Sequence, residues 1–197
     1  MRLTDWEILR LMDSKEIVFF PEVEPTRVSG VTVDLKLGNK FRKASQLDKS
    51  PIVLGSPSHN FQSMVSDAFS EEYESDTLTL YPGEMALGIT LEHVTIPDNL
   101  VGWLDGRSTL ARLGLLVHLT AHRIDPGWKG NIVLEFYNAS DRPLILMAGL
   151  HIGAISFEQL RGDVLRPYRS RVDSTYKNQT GTILAGGNNA SEDNSSR

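Results

Sequence analysis

The chain has 197 residues, enough for one ordinary domain or two small ones, and its 40% hydrophobic, 23% charged and 8% aromatic content is typical of globular proteins. Its net charge of −5 argues against a general nucleic-acid binder. The absence of cysteine excludes disulfides, thiolate nucleophiles and zinc sites with thiolate ligands. Apolar runs such as 144–148 are too short to cross a membrane, and the acids Asp5 and Glu7 predict no secretory leader, so we expect a cytoplasmic protein.

The first predicted element is a helix near the amino terminus. Thr4 and Glu7 have the spacing of a capping box, and Leu3 and Ile8 are placed to form a hydrophobic staple. Apolar residues at helical spacing continue to Met12. We expect this helix to be structural.

After this helix the hydrophobic period changes from 3.6 to 2, which is typical of strands with one buried face. Such runs predict strands at 31–37, 77–80, 85–91, 101–104, 115–119, 132–137, 144–147 and 152–157. Turns are predicted at 81–84, 125–127 and 148–149, and short helices at 61–69 and 108–113. Many short strands favour an all-β sandwich, barrel or jelly roll over a parallel α/β sheet.

Charge is distributed unevenly along the chain. Residues 44–100 carry nine acids and one lysine, whereas 161–177 carry five basic residues and two acids. The basic segment could lie near a small anionic ligand, although an ordinary exposed mixture of charges is an equal alternative. The small polar residues at 185–197 predict a disordered tail.

Residues 105–114, DGRSTLARLG, contain a candidate anion site. If Ser108 is the N-cap of a short helix, free backbone N–H groups lie beside the guanidinium of Arg107, an arrangement that suits phosphate. Arg112, one helical turn on, would lie on the same side. A capped helix with solvated arginines fits the same residues.

Glu135 interrupts an apolar strand, on the face that it shares with Val133 and Tyr137. A carboxylate there must be exposed, paired or catalytic, because burial of an unpaired charge is costly. Partial burial would raise its pKa toward the range useful for proton transfer. A structural ion pair is the alternative.

His118 and His122 are four residues apart, but they flank a strand end and a turn, and a metal pair is a weak interpretation of them.

Three segments together resemble the dCTP deaminase family, which belongs to the dUTPase-like superfamily: DGRSTLARLG at 105–114, VHLTAHRIDPGW at 117–128 and VLEFYN at 133–138. The resemblance begins with MRL at 1–3 and continues through VTVD at 31–34 and GNKF at 38–41 to YKNQ at 176–179. It implies a distorted β jelly roll in one domain, 1–181, with a carboxyl-terminal arm at 165–181 that closes on nucleotide, followed by a disordered tail at 182–197. It also implies a homotrimer with active sites between subunits.

The resemblance further implies hydrolysis of dCTP to dUTP and ammonia, with Mg²⁺ on the substrate triphosphate and no zinc. Glu135 would shuttle protons, Ser108 and the backbone near Ala121 would hold the water, and Arg112 would stabilise the developing charge. No membrane or nucleic-acid partner is expected.

The remaining nucleotide contacts are also implied by this resemblance. Asp125 would accept a hydrogen bond from the sugar 3′-hydroxyl, beside Trp128. Phosphates would contact Arg107, Ser108, Thr109, Leu110, Ala111 and Arg112. The base and the arm would add contacts from Val133, Leu134, Tyr168, Thr175 and Gln179.

This chain departs from the family pattern at Thr175, where a lysine usually precedes the tyrosine of the arm. Lys177 lies on the other side of Tyr176, and in an extended arm it would point the opposite way. The acidic stretch at 45–76 matches poorly and receives no role.

Three other functions stay open at this point. A bifunctional relative would carry dCTP on to dUMP and pyrophosphate, although His122, Arg123 and Trp128 are more similar to the monofunctional branch. A plain dUTPase is the second, although Glu135 is unexpected there because that reaction needs no proton shuttle at the base. A non-catalytic nucleotide sensor is a further alternative. Feedback inhibition by dTTP is expected from the resemblance, with Leu119 and Thr120 as the moving segment.

Overall fold

The computed structural model describes residues 1–45, 51–54, 61–171 and 178–182, with the backbone alone for residues 61 and 62. The helices of this part are α1 (Asp5–Asp13), α2 (Phe61–Ala68) and α3 (Ser108–Arg112), with short 3₁₀ turns at Pro25–Arg27 and Tyr168–Ser170. The strands are β1 (Val18–Phe20), β2 (Val28–Ser29), β3 (Thr32–Lys43), β4 (Tyr73–Glu74), β5 (Thr77–Leu80), β6 (Met85–Thr95), β7 (Leu100–Gly106), β8 (Leu115–Leu116), β9 (Arg123–Ile124), β10 (Lys129–Asn138), β11 (Leu144–Met147) and β12 (His151–Gln159).

Ten of these strands form one curled sheet, and the other two form a small second sheet. The main order is β8-β10-β6-β3-β12-β7-β9, with β1 on β6 and with β2 and β4 on β3. β5 and β11 pair with each other. Every pairing within these sheets is antiparallel.

The long strand β3 connects the two halves of the main sheet. Its first half pairs with β2 and β12, and its second half pairs with β4 and β6. The register with β6 shifts between Leu37 and Phe41, around Gly38. A Cβ at Gly38 would lie 3.0 Å from Ile89 Cγ1, so β3 packs directly on β6 there. This close crossing bends the sheet around its apolar interior.

The interior is apolar and continuous. Phe41, Phe136 and Phe157 are fully buried in it, and Leu3 and Ile8 pack α1 against it. The Glu7 carboxylate accepts a hydrogen bond from the Thr4 N–H at 2.9 Å, as the capping box predicts. That bond lowers the pKa of Glu7.

The predicted mainly β architecture with a few short helices is confirmed, and most strands lie where alternation places them. Strand β3 is longer than predicted and β8 is shorter, because the segment after Leu116 leaves the sheet. The predicted N-cap at Ser108 is wrong: Arg107, with extended backbone, precedes the first turn of α3 and makes no side-chain capping bond. Thr175 and the tail from 183 lie outside the described residues.

No helix in the described ranges is long and apolar enough to cross a membrane.

Candidate active site

Strand β10 forms one wall of a cleft of about 450 Å³. The strand alternates between buried and half-buried side chains, so Val133 and Glu135 line the cleft while Leu134 and Phe136 lie in the core. Of the residues predicted to bind nucleotide or act on it, the cleft gathers seven: Ala121, Asp125, Trp128, Val133, Glu135, Tyr168 and Gln179. Leu134 does not present its side chain there, because it points to the opposite face of β10.

Glu135 is half-buried in this wall, opposite Leu87 of β6. Burial raises the pKa of its carboxyl, while hydrogen bonds from backbone N–H groups, that of Leu119 first, lower it. Burial therefore favours the neutral form of the carboxyl, the hydrogen bonds favour its charged form, and burial has the larger effect. A group with this balance can both accept and return a proton in the cleft.

A buried polar network fixes the register of β10 just before Glu135. The pairing of β10 with β6 shifts between Asn131 and Val133. At that irregularity the Thr90 hydroxyl accepts from the Ile132 N–H at 3.0 Å and donates to the Glu92 carbonyl at 2.7 Å. Thr90 is fully buried, so water does not reach this site. The Thr90 hydroxyl therefore gives the Ile132 N–H the hydrogen-bond acceptor that it lacks where the strand pairing is interrupted.

Asp125 is held by two arginines. Its Oδ1 lies 2.8 Å from Arg123 Nε, and its Oδ2 lies 2.8 Å from Arg171 Nη1. Gly127, with φ of +76°, closes the turn that follows. These contacts fix the carboxylate at the mouth of the cleft, where it can accept a further hydrogen bond.

The start of the carboxyl-terminal arm packs on the same turn. The Trp128 and Tyr168 rings have centroids 5.1 Å apart, and the guanidinium of Arg171 lies over the Tyr168 ring. The Tyr168 N–H donates to the Pro126 carbonyl at 2.8 Å. The two rings are tilted to each other by 46°, and both line the cleft together with Asp125, so they offer apolar surface to a sugar ring there.

The predicted phosphate-binding segment does not join the other residues within this protomer. The residues of α3 and the preceding Arg107 are absent from the described lining of the cleft. Arg107 instead pairs with Asp34, whose other oxygen lies 3.7 Å from His151 Nδ1. Ser108, Thr109, Ala111 and Arg112 are exposed, while Leu110 packs partly against the core.

His118 and His122 are in ring contact with each other. Their ring centroids lie 5.3 Å apart with the planes tilted by 31°, and the Trp103 ring lies 5.5 Å from His122, tilted by 41°. Burial, followed by the charge of His122, lowers the pKa of His118, against the opposing effect of Asp105. The described residues contain no group of three or more His, Asp or Glu side chains placed to hold a metal ion.

Several cleft residues have no direct signal in the sequence. They are Arg123, Arg171 and the apolar residues Val65 of α2, Phe69 just after α2, and Leu87. The excess of basic residues at 161–177 was the available sign of Arg171. The apolar spacing within 61–69 showed a helix but not its neighbours.

Comparison with known proteins identifies the family. The family model described as dCTP deaminase-like matches residues 2–160. The chain is 50% identical over 188 residues to the dCTP deaminases of Pseudoalteromonas atlantica and of Pectobacterium atrosepticum, covering 94% of this chain and 94% and 97% of theirs.

A solved structure, the 2′-deoxycytidine 5′-triphosphate deaminase of Agrobacterium tumefaciens, shares the fold with a TM-score of 0.61 at 19% identity. The match covers 80% of this chain, and the chain spans about half the length of that protein (48%). The family model and the two relatives cover nearly the whole chain, including β10 and the turn at 125–128. The chain belongs to the dCTP deaminase-like family.

Proposed function

We propose that this protein hydrolyses dCTP to dUTP and ammonia, supplying the precursor of dUMP and dTTP. The observation that carries the proposal is the half-buried Glu135, with its raised pKa, in a cleft that also holds Asp125 and Trp128. Relatives that are 50% identical and carry the name dCTP deaminase support the same substrate.

Hydrolytic deamination requires water to add at C4 of cytosine. Glu135 takes a proton from the water as the C4–O bond forms and passes this proton to N3. Glu135 then takes the proton of the new C4 hydroxyl and passes it to N4. Collapse of the tetrahedral intermediate breaks the C4–N4 bond after N4 is protonated, so ammonia leaves and the C4 carbonyl of uracil remains. A carboxyl with a raised pKa suits both directions of transfer, because its carboxylate is a stronger base toward water and the acid that forms can return the proton.

The sugar and the base would bind along the cleft. Asp125 accepts from the 3′-hydroxyl, the Trp128 ring packs beside the deoxyribose, and Val133 contacts the base. Gln179 and Tyr168 add contacts from the arm. Each of these side chains lines the cleft, which supports the assignment.

We further propose that the protein is a homotrimer of distorted jelly rolls in which α3 of one protomer completes the cleft of another. Arg107 and the backbone of α3 would bind phosphates, Ser108 and the Ala121 backbone would hold the water, and Arg112 would stabilise charge at C4. The support is geometric: within one protomer the described cleft lining includes Glu135 but none of the residues 107–112.

Mg²⁺ is proposed to enter as the counter-ion of the substrate triphosphate, bound by phosphate oxygens rather than by protein side chains. When bound there, it neutralises phosphate charge. The zinc deaminases hold their metal with cysteines, and this chain has no cysteine, which supports a mechanism without zinc.

Feedback inhibition by dTTP is proposed to act through residues 119–120. The Leu119 N–H bonds the Glu135 carboxylate, so a shift of this segment would change the environment of the proton shuttle. A titration with dTTP at fixed dCTP tests this; unchanged rates up to millimolar dTTP would reject it.

The experiment that tests the main proposal is product analysis. The purified protein is incubated with dCTP and Mg²⁺ in the presence of a zinc-selective chelator, and the nucleotides are separated. Accumulation of dUTP is expected. Formation of dUMP and pyrophosphate would instead establish the bifunctional reaction, and binding without turnover would establish a sensor.

A further inference from the structure

The short segment 178–182 crosses the cleft in a fixed position. Gln179 pairs with Gly130 in a parallel bridge, and the Asn131 N–H donates to the Gln179 carbonyl at 2.8 Å. Gly130 has φ of +153°, and a Cβ there would lie 2.8 Å from Gln179 N. Only glycine therefore allows the segment to lie this close to β10.

The other end of the segment is held by Glu72, from the acidic stretch that had no assigned role. Glu72 Oε2 accepts from both the N–H and the hydroxyl of Thr182, at 2.6 and 2.7 Å. Arg42 Nε donates to the same hydroxyl at 3.1 Å, and Lys40 Nζ donates to the Thr180 carbonyl at 3.2 Å. Hydrogen bonds to a charged carboxylate are stronger than neutral ones, so Glu72 is the main anchor of this end.

At the first of these two anchors, the backbone of Gln179 is paired with β10, but its side-chain amide is buried and incompletely paired. Gln179 is 3% exposed and lines the cleft, and its Nε2 has no hydrogen-bond partner among the described residues. A buried donor without a partner is costly, and native structures keep such groups mainly where a ligand or a water satisfies them. Its position in the cleft matches an acceptor oxygen on a nucleotide.

We propose that Glu72, which directly precedes β4, is a positioning residue: it anchors the Thr182 end of residues 179–182 and thereby holds the Gln179 amide in the cleft for the nucleotide. The inference rests on the proposed function for the identity of the nucleotide. The anchoring step does not depend on it. Glu72 itself touches Thr182 and not the cleft's reacting centre, so it acts through the segment.

The anchoring step is tested by hydrogen–deuterium exchange on the full chain without nucleotide. Glu72→Ala is expected to speed exchange in the peptide that covers 178–182 by tenfold or more, because the acceptor of the Thr182 N–H is lost. Glu72→Gln keeps an acceptor oxygen and should restore most of the protection. The matched control is Glu71→Ala, at an adjacent exposed acid, and it should exchange like the parent. Equal exchange in Glu72→Ala and the parent would overturn the anchor.

The link to the nucleotide is tested by steady-state kinetics with dCTP. Glu72→Ala is expected to raise KM about tenfold and to change kcat less than about threefold, with a Tm close to that of Glu71→Ala. Gln179→Ala should raise KM similarly, and the double variant should be no worse than the poorer single variant, since both changes remove one contact.

Two results would overturn the positioning role: an unchanged KM in Glu72→Ala, or fully additive effects in the double variant. If the parent itself fails to convert dCTP, the proposed function fails, and the exchange experiment still decides whether Glu72 anchors the segment.

Discussion

Arg171 Nη1 lies 2.8 Å from Asp125 Oδ2, so an arginine at the start of the arm is joined to the carboxylate proposed to receive the sugar hydroxyl. The same carboxylate is held from the other side by Arg123. The start of the arm is therefore linked to the proposed sugar site by an ion pair. A change in either arginine should alter nucleotide affinity before it alters chemistry.

Replacement of Arg171 by methionine keeps an unbranched, flexible side chain, although a shorter one, and removes the charge and the hydrogen-bond donors. We expect KM for dCTP to rise about fivefold with little change in kcat, since a partly exposed ion pair contributes up to about 1 kcal/mol. Steady-state kinetics measures the change. Arg161→Met, at an exposed basic residue earlier in the same segment, is the control. A fall in kcat with unchanged KM would contradict the assignment.

Glu135→Gln keeps the shape of the side chain and removes the proton shuttle. Turnover should fall by at least about 10³-fold while dCTP binding, measured calorimetrically, stays within a few-fold. Substantial residual turnover would show that another group moves the proton.

The raised pKa of Glu135 has a consequence for stability. Because burial holds the folded pKa above the unfolded one, stability is greatest below the unfolded pKa and is lost as pH rises through the folded pKa. Glu135→Gln has no ionisable carboxyl at this position and therefore does not lose stability in this way as pH rises, so it should have a higher Tm than the parent at pH 7. The difference should shrink as pH falls through the folded pKa and disappear below the unfolded pKa of about 4.3, where Glu135 is protonated in both the folded and the unfolded state. A Tm gain that does not depend on pH would contradict the assignment of this pKa shift.

Thr90→Val removes the hydroxyl that pairs the Ile132 N–H and leaves the size of the side chain nearly unchanged. An unpaired buried amide should lower the free energy of unfolding by about 1–3 kcal/mol. The segment before Glu135 should also shift, so we expect a fall in kcat. Thr90→Ser keeps both hydrogen bonds and is the control. Denaturant unfolding and kinetics measure the two effects, and a normal stability in Thr90→Val would show that the network is dispensable.

Shared sites can be tested by mixing two inactive variants. Glu135→Gln and Arg112→Ala are unfolded together in equal amounts and refolded so that protomers exchange. If α3 of one protomer serves the cleft of the next in a ring, one site in four receives both intact groups, and about 25% of parental activity should return. No recovery would place the complete site within one protomer.

Alternation along the chain predicts β10 and β6, and it places Glu135 on the same face of β10 as Val133. It does not predict the short strand β9, whose Arg123 and Ile124 also line the cleft. It could not predict the register shift at Thr90, because hydroxyl pairing across strands leaves no periodic signal. Nor could it show that Glu72 contacts Thr182, which is 110 residues away in the chain. The N-cap was misplaced at Ser108 because a hydroxyl favours that position by propensity, whereas the backbone already turns at Arg107. Patterns between neighbouring residues can thus be predicted from the sequence, whereas polar contacts between residues far apart in the chain cannot.

The two faces of β10 have different freedom to change. One face carries Leu134 and Phe136 in the core, so a substitution there disturbs packing, whereas the other face carries Glu135, so a substitution there changes the cleft. Two further residues that line the cleft are Val65 of the helix α2 and Phe69, which follows α2 and forms a bridge with Ala44. Substitutions at Val65 on α2 can therefore enlarge or narrow the cleft without altering the register of any strand. New substrate preferences can arise at this helix with the smallest loss of stability.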